Sequence, residues 1–414
     1  MSPGRSFDDI GVCAKQMRPI FSRPATERLA GILILLALGV GLLAVNSPAR
    51  AMYLYVHHAT VHVGIGALIS KEPLIFWIND GLMVFFFLLA GLEIKYELVQ
   101  GHLSSIHHAL LPALCAAGGI TVPALIYGAL NWGEPEAIRG WAIPTATDVV
   151  LALSVISLAG ERVPNSLRAF LMAIAIFDDI GAVGIVGLFY GNGITVPPLI
   201  GATVATLALA VLCKLSVVRI WPYAVAGIAL WLCLLSAGVE AALAGLFIGL
   251  AVPLKKGDHK PLQVVANEVR PWVWFVVIPV FAFFNSGIVL TPNMFGELLV
   301  PPTPGIMLGL LLGKPLGILG VAALAVKLGI GKLPRGLRWP HILGASLIAG
   351  IGFTMSLFVA ALAFPSPPLL ASAKVAVLLA SLLSAIIGSI VLQIGHRRSK
   401  NGICTERCHH AIEK

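Results

Sequence analysis

The sequence predicts an all-α polytopic membrane protein with about twelve transmembrane helices, and two observations lead to that prediction. Of the 414 residues, 58% are hydrophobic and only 11% are charged, which is too little charge to cover a soluble domain of this size. The apolar residues also form about twelve long runs rather than amphipathic stripes. A helix needs roughly 20 such residues to cross about 30 Å of hydrocarbon.

The predicted spans follow one another with short connections. They cover approximately residues 29–47, 74–94, 108–129, 139–159, 167–190, 195–213, 219–235, 237–254, 272–290, 305–326, 341–363 and 371–395. We therefore expect one transmembrane domain, residues 29–395, between an N-terminal tail, residues 1–28, and a C-terminal tail, residues 396–414. Met52–Ile69, between the first two spans, is too short and polar to cross, and its alternating pattern predicts a small β-hairpin on the outer face.

The positive charges predict the orientation of the spans. If the N-terminus is cytoplasmic, the inner segments hold 23 of the 28 Lys and Arg residues. The outer segments then hold only Arg50, Lys71, Arg139 and Lys374. Cytoplasmic loops typically carry such an excess, so both termini are expected in the cytoplasm. The net charge of +9 comes from these loops, and without a basic patch interleaved with aromatic residues it does not indicate nucleic-acid binding.

The C-terminal tail contains a cluster of potential metal ligands. They are Cys404, Cys408, His409 and His410. Their spacing matches no standard zinc framework, so the sequence favours a disordered cytosolic tail over a metal site. The role of this cluster stays open, and no resident cofactor is expected.

Two of the predicted spans carry polar interruptions that disfavour a helix. The fourth contains Pro144–Asp148 and the eleventh contains Gly350–Ser356, with Gly350, Gly352 and Thr354. Each is the middle member of a three-span group that starts from the opposite side of the membrane, so the groups would be inverted repeats. Paired broken helices indicate the midplane site of a transporter. The alternative is that Gly and Pro are simply common in membrane helices.

Asp178 and Asp179 stand near the middle of the fifth span. A carboxylate at the bilayer centre costs at least about 2.5–3.5 kcal/mol, so each needs a partner or a function. Successive helical residues point about 100° apart, so the two face different directions. Buried carboxyl groups can hold protons near neutral pH, and a dehydrated carboxylate binds hard cations. Competition for one carboxylate would be an exchange mechanism; the alternative is that both merely hold helices together.

Other charged residues in predicted spans also need an explanation. Asp148 would either offset the positive ends of the broken fourth helix or bind the cation directly, with the Thr147 hydroxyl beside it. Lys314, in the tenth span, must pair or lose its proton. A salt bridge to Asp178 is the economical choice, which leaves Asp179 for a cation; the alternative is that Lys314 reaches an interface.

Three further acidic residues lie in or near the spans. Asp80 lies near the outer end of span two, where a wet, outward-facing role is plausible. Glu240 lies in the eighth span. Glu93 lies nearer a membrane end, followed by Lys95, and a helix-end interfacial role is adequate for it.

These segments resemble the NhaA-type bacterial Na⁺/H⁺ antiporters. The resemblance rests on Trp77–Gly101 with Gly91-Leu92-Glu93-Ile94-Lys95, the Pro144–Asp148 break, Phe177-Asp178-Asp179, Pro279–Asn285, Gly313-Lys314-Pro315 and the Gly350–Ser356 break. It runs in order from about residue 25 to 395. It implies twelve spans with crossed, broken fourth and eleventh helices. It also implies electrogenic exchange of two protons for one Na⁺ or Li⁺, usually by a homodimer in the lipid of the bacterial inner membrane.

The resemblance also implies roles for particular residues. Asp179 matches the main carboxylate for Na⁺ and protons, and Asp178 matches its partner, salt-bridged to Lys314 in one state. Asp148 matches the charge that compensates the helix crossing, with Thr147 beside it, and the Met52–Ile69 segment matches a hairpin used for dimer contact.

Two departures bear on the pH response. Glu240 stands where well-studied members have a histidine linked to that response, and Ala266-Asn267 replaces an acidic residue that some members have before the ninth span.

The sequence leaves three other functions to consider. A Na⁺-coupled symporter for an organic acid on a related fold would need uptake of a specific substrate. An intramembrane enzyme is disfavoured, because the Gly-x-Gly-Asp motif of an aspartyl protease and the spaced aspartates of a prenyltransferase are both missing. A channel is disfavoured because the buried Lys314 and the carboxylates suit a transport cycle better than a pore.

Overall fold

The computed structural model describes residues 24–65, 68–158, 163–191, 195–290, 296, 299–334 and 336–412. Most of the predicted N-terminal tail, including Lys15 and Arg23, and the loop residues Arg162 and Arg335 lie outside the described residues. The first half of the described chain contains α1 (Pro24–Val45), α2 (Arg50–His57), β1 (Thr60–Ile65), β2 (Leu68–Pro73), α3 (Leu74–Val99), α4 (Ile106–Leu130), a 3₁₀ segment (Ala137–Thr145), α5 (Val149–Leu158) and α6 (Asn165–Phe189).

The second half continues with helices alone. They are α7 (Val196–Lys214), α8 (Trp221–Ala237), α9 (Leu243–Ala251), α10 (Pro261–Asn285), α11 (Thr303–Lys327), α12 (Trp339–Ile348), α13 (Phe353–Ala363) and α14 (Pro367–Ile412). Several begin with proline in the first turn, where its missing N–H costs nothing because that group has no partner within the helix.

Eight helices of the described chain are long and apolar enough to cross a membrane, and two bent pairs would raise that number to ten. The bent pairs are the 3₁₀ segment with α5, at 45°, and α12 with α13, at 44°. The protein is therefore a mainly helical, multi-pass membrane protein, and both predicted interruptions are real breaks.

The eighth predicted span is shorter than expected. α8, the seventh span, has 17 residues, as many as predicted, but α9 has only nine. Gly238 ends α8 in the left-handed conformation, at φ 75°, which is a common helix stop. Glu240 lies in the non-helical segment between α8 and α9, whereas the sequence predicts it inside a continuous span. Because the residues around Gly238 are apolar, the sequence pattern predicts a continuous helix through this glycine.

The hairpin is present but shifted. β1 and β2 pair antiparallel, from Thr60 opposite Pro73 to Ile65 opposite Leu68, whereas the first part of the predicted Met52–Ile69 hairpin is the helix α2. The Tyr53 hydroxyl, on α2, donates to the Phe283 and Phe284 carbonyls at 3.1 and 2.9 Å. This buried anchor requires a helical turn that directs Tyr53 onto α10, and burial raises the pKa of Tyr53 to about 12.

The last helix is longer than its predicted span. α14 continues to Ile412, so the predicted disordered tail is helical to that residue. Adding residues to an existing helix avoids the cost of nucleating a new one. The side chains of the Cys404 to His410 cluster lie outside the described part of the chain.

A polar cluster anchors α5, the second half of the first bent pair. Ser157 on α5 donates to the Glu27 carboxylate on α1, and Arg168 on α6 donates to the Ser157 hydroxyl at 2.6 Å. Arg168 also lies 3.6 Å from Glu27. The half-helix is thereby fastened to two neighbouring helices.

A π turn in α11 sets the position of Lys314. The turn covers Gly309–Gly313, and the Lys314 N–H bonds to the Gly309 carbonyl. Pro315 has no N–H to continue the ladder, so the distortion follows from the sequence. α11 also approaches α4 closely, because a Cβ added to Gly118 would lie 2.5 Å from the Gly317 carbonyl. Such close contact of small residues is a common way for helices to pack in lipid.

Candidate cation and proton site

The two breaks meet in the interior of the protein. The Asp148 N–H donates to the Ile351 carbonyl at 2.6 Å, and the Ser356 hydroxyl donates to the Ile143 carbonyl at 2.7 Å. A broken helix leaves backbone groups without intrahelical partners, and each break satisfies part of the other. The two bent pairs therefore contact each other at their breaks, and we call this contact the crossing.

Asp148 binds the N-terminal ends of two half-helices. Its Oδ1 accepts the Leu151 N–H of α5 at 3.0 Å. Its Oδ2 accepts both the N–H and the hydroxyl of Thr354, on α13, at 3.1 and 2.6 Å. A carboxylate here offsets the partial positive charge of both helix ends. Both oxygens of Asp148 are engaged, which favours charge compensation over direct binding of a cation.

Thr147 joins the crossing to Asp178. Its hydroxyl lies 2.7 Å from Asp178 Oδ2 and 2.9 Å from the Ala349 carbonyl. A hydroxyl carries one proton, so it donates to one of these acceptors at a time. It accepts a hydrogen bond from Lys314 Nζ at 2.7 Å.

Lys314 is fully buried and forms the ion pair that its position in the tenth span predicts. Its Nζ lies 2.5 Å from Asp178 Oδ2. The other carboxylate oxygen of Asp178, Oδ1, is buried and has no hydrogen-bond partner among the residues that the structure describes. Removing either charged group would leave the other charge buried without a counter-ion. An unpaired buried charge costs far more free energy than a buried ion pair does.

Asp179 faces a different direction from Asp178, as helical geometry requires. It is 7% exposed, and within the described part of the chain its Oδ1 has no hydrogen-bond partner. It lines a narrow cavity of about 40 Å³ together with Phe86, Glu93, Val150 and Trp274, which we call the Asp179 cavity. Of the two neighbouring aspartates, the one without a described ion pair is the one that borders open space.

Glu93 lies at a position that differs from its prediction. The sequence predicts a helix-end interfacial role, but Glu93 lines the Asp179 cavity and forms an ion pair with Arg270 at 3.2 Å. The two residues are 177 positions apart in the chain. The charged Glu93 in an apolar run was the available signal, but nothing in the sequence identified its partner.

Asp80 and Glu240 come together elsewhere. The two carboxyl groups lie close enough to interact electrostatically. They line a second cavity, of about 360 Å³, with Asn79 and Tyr190. The Asn285 amide donates to Asn79 Oδ1 at 2.9 Å. This pair does not line the Asp179 cavity.

The glycines of the eleventh-span break occupy confined positions. A Cβ added to Gly350 would lie 2.6 Å from both the Leu310 carbonyl and the Ser384 hydroxyl. A Cβ added to Gly352 would collide with the Ser356 hydroxyl. Neither position accepts a side chain without movement of its neighbours.

A conventional metal centre is not part of this arrangement. Within the described residues, no group of three or more His, Cys, Asp or Glu side chains could hold a metal ion. The available donors are carboxylate, hydroxyl and backbone oxygens, which are the ligands that hard cations prefer.

Comparisons with known proteins identify the family of the chain. The family model described as Na⁺/H⁺ antiporter 1 matches residues 23–392. The Na⁺/H⁺ antiporter NhaA of Rhodospirillum rubrum is 45% identical over 89% of this chain and 95% of its own length. That of Pseudomonas putida (strain GB-1) is 44% identical over 93% and 100%.

A solved structure supports the fold. The sodium proton antiporter MjNhaP1 from Methanocaldococcus jannaschii superposes with a TM-score of 0.54 over 88% of this chain and 97% of its own. The sequence identity is 17%, so this likeness concerns the fold alone.

Proposed function

The chain belongs to the Na⁺/H⁺ antiporter 1 family, and from that premise we propose that it exchanges Na⁺ for protons by competition at Asp179. The observation that carries the proposal is the inequality of the two neighbouring aspartates. Asp178 has Lys314 as its counter-ion, while Asp179 borders a cavity and has an oxygen that no described residue hydrogen-bonds. A cation entering that cavity meets a carboxylate that must release its proton to bind.

The cycle follows from the ion pair. A cation bound at Asp179 draws in the oxygens of the adjacent Asp178, which has to leave Lys314. A buried ammonium without a counter-ion is costly, so Lys314 then loses its proton. Asp179 and Lys314 thus release one proton each for one cation entering. This stoichiometry makes the exchange electrogenic, and a potential of 100 mV supplies about 2.3 kcal/mol for each net charge moved.

The remaining residues have supporting roles in this proposal. Thr147 contributes its hydroxyl to the cation or to Asp178, and Asp148 keeps the crossing neutral. Gly350, Gly352 and Thr354 form the break that faces it. Asp80 and Glu240 are accessory groups on the second cavity. Li⁺, a hard cation of the same charge, is expected to replace Na⁺, and no resident cofactor is required.

The proposed setting extends the fold description. We infer twelve spans, with α8 and α9 as the two short ones, and two inverted repeats built around the bent pairs. The transmembrane domain is residues 29–395, with both tails in the cytoplasm of a bacterium and the spans in the lipid of its inner membrane. The β1–β2 hairpin is the proposed contact of a homodimer.

The test is exchange in everted membrane vesicles that carry an imposed pH gradient. Adding Na⁺ should collapse the gradient with the wild-type chain, and Asp179→Asn should abolish that response. Asp258→Asn, at an exposed loop position, is the matched control and should behave as wild type. Full activity of Asp179→Asn would refute the assignment. Uptake of an organic acid, with no response to Na⁺ alone, would favour a Na⁺-coupled symporter instead.

A further inference from the structure

Glu93 and Asp179 are the two carboxylates on the Asp179 cavity, and all other described residues that line it are apolar or aromatic. Glu93 lies on α3 and Asp179 on α6. Hydrogen bonds to Glu93 Oε1 come from Arg270 Nε at 3.3 Å and Nη2 at 3.2 Å. One oxygen of Glu93 is therefore occupied by the guanidinium.

The Glu93–Arg270 pair is largely removed from water. The side chains are 19% and 9% exposed. Charges in such a position interact strongly, because little solvent screens them. The neighbouring cation of α3, Lys95, is directed elsewhere, since its Nζ donates to the Leu250 and Val252 carbonyls at 2.7 and 2.8 Å. Glu97, one turn along α3, adds negative charge near the pair.

Because the Asp179 cavity is small, the Glu93–Arg270 pair affects any cation that passes through it. A volume of about 40 Å³ holds only a few waters, since each needs about 10–15 Å³ by this measure. A cation that enters must therefore replace part of its hydration shell with protein oxygens. Apart from Asp179, the carboxylate on the wall is that of Glu93.

We propose that Arg270 is a positioning residue that acts through Glu93 and sets how strongly the Asp179 cavity holds a cation on its way to Asp179. This inference rests on the proposed exchange function. Glu93 supplies a transient oxygen ligand, and Arg270 limits its hold by occupying Oε1 and by offsetting the negative charge of Glu93. The cation consequently passes to Asp179 instead of remaining at the cavity wall.

The experiment measures the Na⁺ concentration for half-maximal exchange, and the maximal rate, in proteoliposomes at one fixed alkaline pH. Arg270→Gln frees Glu93, so the half-maximal concentration should fall about tenfold, the factor given by 1.4 kcal/mol, and the maximal rate should fall with it. Arg270→Lys keeps the charge and should stay near wild type. Glu93→Gln should raise the half-maximal concentration.

The double variant Glu93→Gln/Arg270→Gln separates this mechanism from a structural one. If Arg270 acts through Glu93, the double variant should match Glu93→Gln. An unchanged half-maximal concentration in Arg270→Gln would overturn the proposal, as would a double variant that differs from Glu93→Gln. Should Arg270→Gln fail to accumulate in membranes, the comparison of Glu93→Gln with the double variant decides alone.

Two exposed residues near the start of α10 provide the charge controls. Lys260→Gln removes one positive charge and Glu268→Gln one negative charge, and both should leave the kinetics unchanged. Exchange by the wild type and these controls tests the proposed function itself. Its absence there would refute antiport, whereas normal exchange with no effect at Arg270 would refute only the role of Arg270.

Discussion

Asp148 should be the largest single polar contribution to the stability of the crossing, and its replacement tests that expectation. The carboxylate accepts the Leu151 N–H, the Thr354 N–H and the Thr354 hydroxyl. Asp148→Ala leaves all three donors buried without an acceptor. Asp148→Asn keeps one carbonyl oxygen but turns an amide group towards the remaining donors.

The magnitude follows from the number of donors. Each buried donor left unsatisfied costs about 1–3 kcal/mol, so Asp148→Ala should lower the free energy of unfolding by about 3–9 kcal/mol. Asp148→Asn keeps part of the hydrogen bonding but removes the negative charge at two helix N-termini. Each of these charge–helix interactions contributes about 0.3–1 kcal/mol, and up to about 2 kcal/mol when partly buried. Its loss should be about half as large, roughly 2–4 kcal/mol.

The assay is unfolding of the purified protein in mixed micelles by increasing SDS, followed by tryptophan fluorescence. Asp258→Ala, at an exposed loop position, is the control and should change the midpoint little. The expected order of stability is wild type, Asp148→Asn and then Asp148→Ala. Equal losses for the two variants, or a loss below about 1 kcal/mol for Asp148→Ala, would refute the double-capping account.

Two further predictions concern other parts of the fold. Burial lowers the pKa of His57 from 6.5 to about 4, with His58 and Lys374 acting in the same direction. The folded state therefore disfavours protonated His57. Its contribution to the free energy of unfolding should be complete above pH 6.5 and decline as the pH falls towards 4. In a plot of thermal midpoint against pH, His57→Gln should flatten the curve over this range. Gly350→Ala should lower the free energy of unfolding by about 1–3 kcal/mol through overpacking, and it should slow exchange. Gly320→Ala, with no described atom within 4 Å of the added Cβ, should change neither. Equal melting temperatures for the two variants would contradict the predicted collision at Gly350.

The charged residues of the site could be recognised in the sequence because a charge in an apolar run is costly wherever the run folds. Asp148, Asp178, Asp179 and Lys314 stand out for this reason. A salt bridge between Lys314 and Asp178 is the economical choice because a buried ammonium must pair or lose its proton. The two breaks were also predictable, since proline and clustered glycine interrupt a helix by local chemistry.

Other features depend on contacts between distant residues and left no local signal. The pairing of Glu93 with Arg270 joins positions 177 residues apart. The helical start of the predicted hairpin depends on Tyr53 reaching the carbonyls of α10. The end of α8 is a different case, because Gly238 stops that helix by local chemistry inside an apolar stretch that reads as continuous.

The hydrogen bonds between the two breaks have a mechanical consequence. Thr147, Asp148 and Ser356 connect the first bent pair to the second through backbone and side-chain bonds that all lie in the interior. Stretching one half-helix away from the other would rupture several of these bonds together, in a place where water cannot replace them. The crossing therefore behaves as a stiff joint, and we expect a movement of either bent pair to carry the other with it.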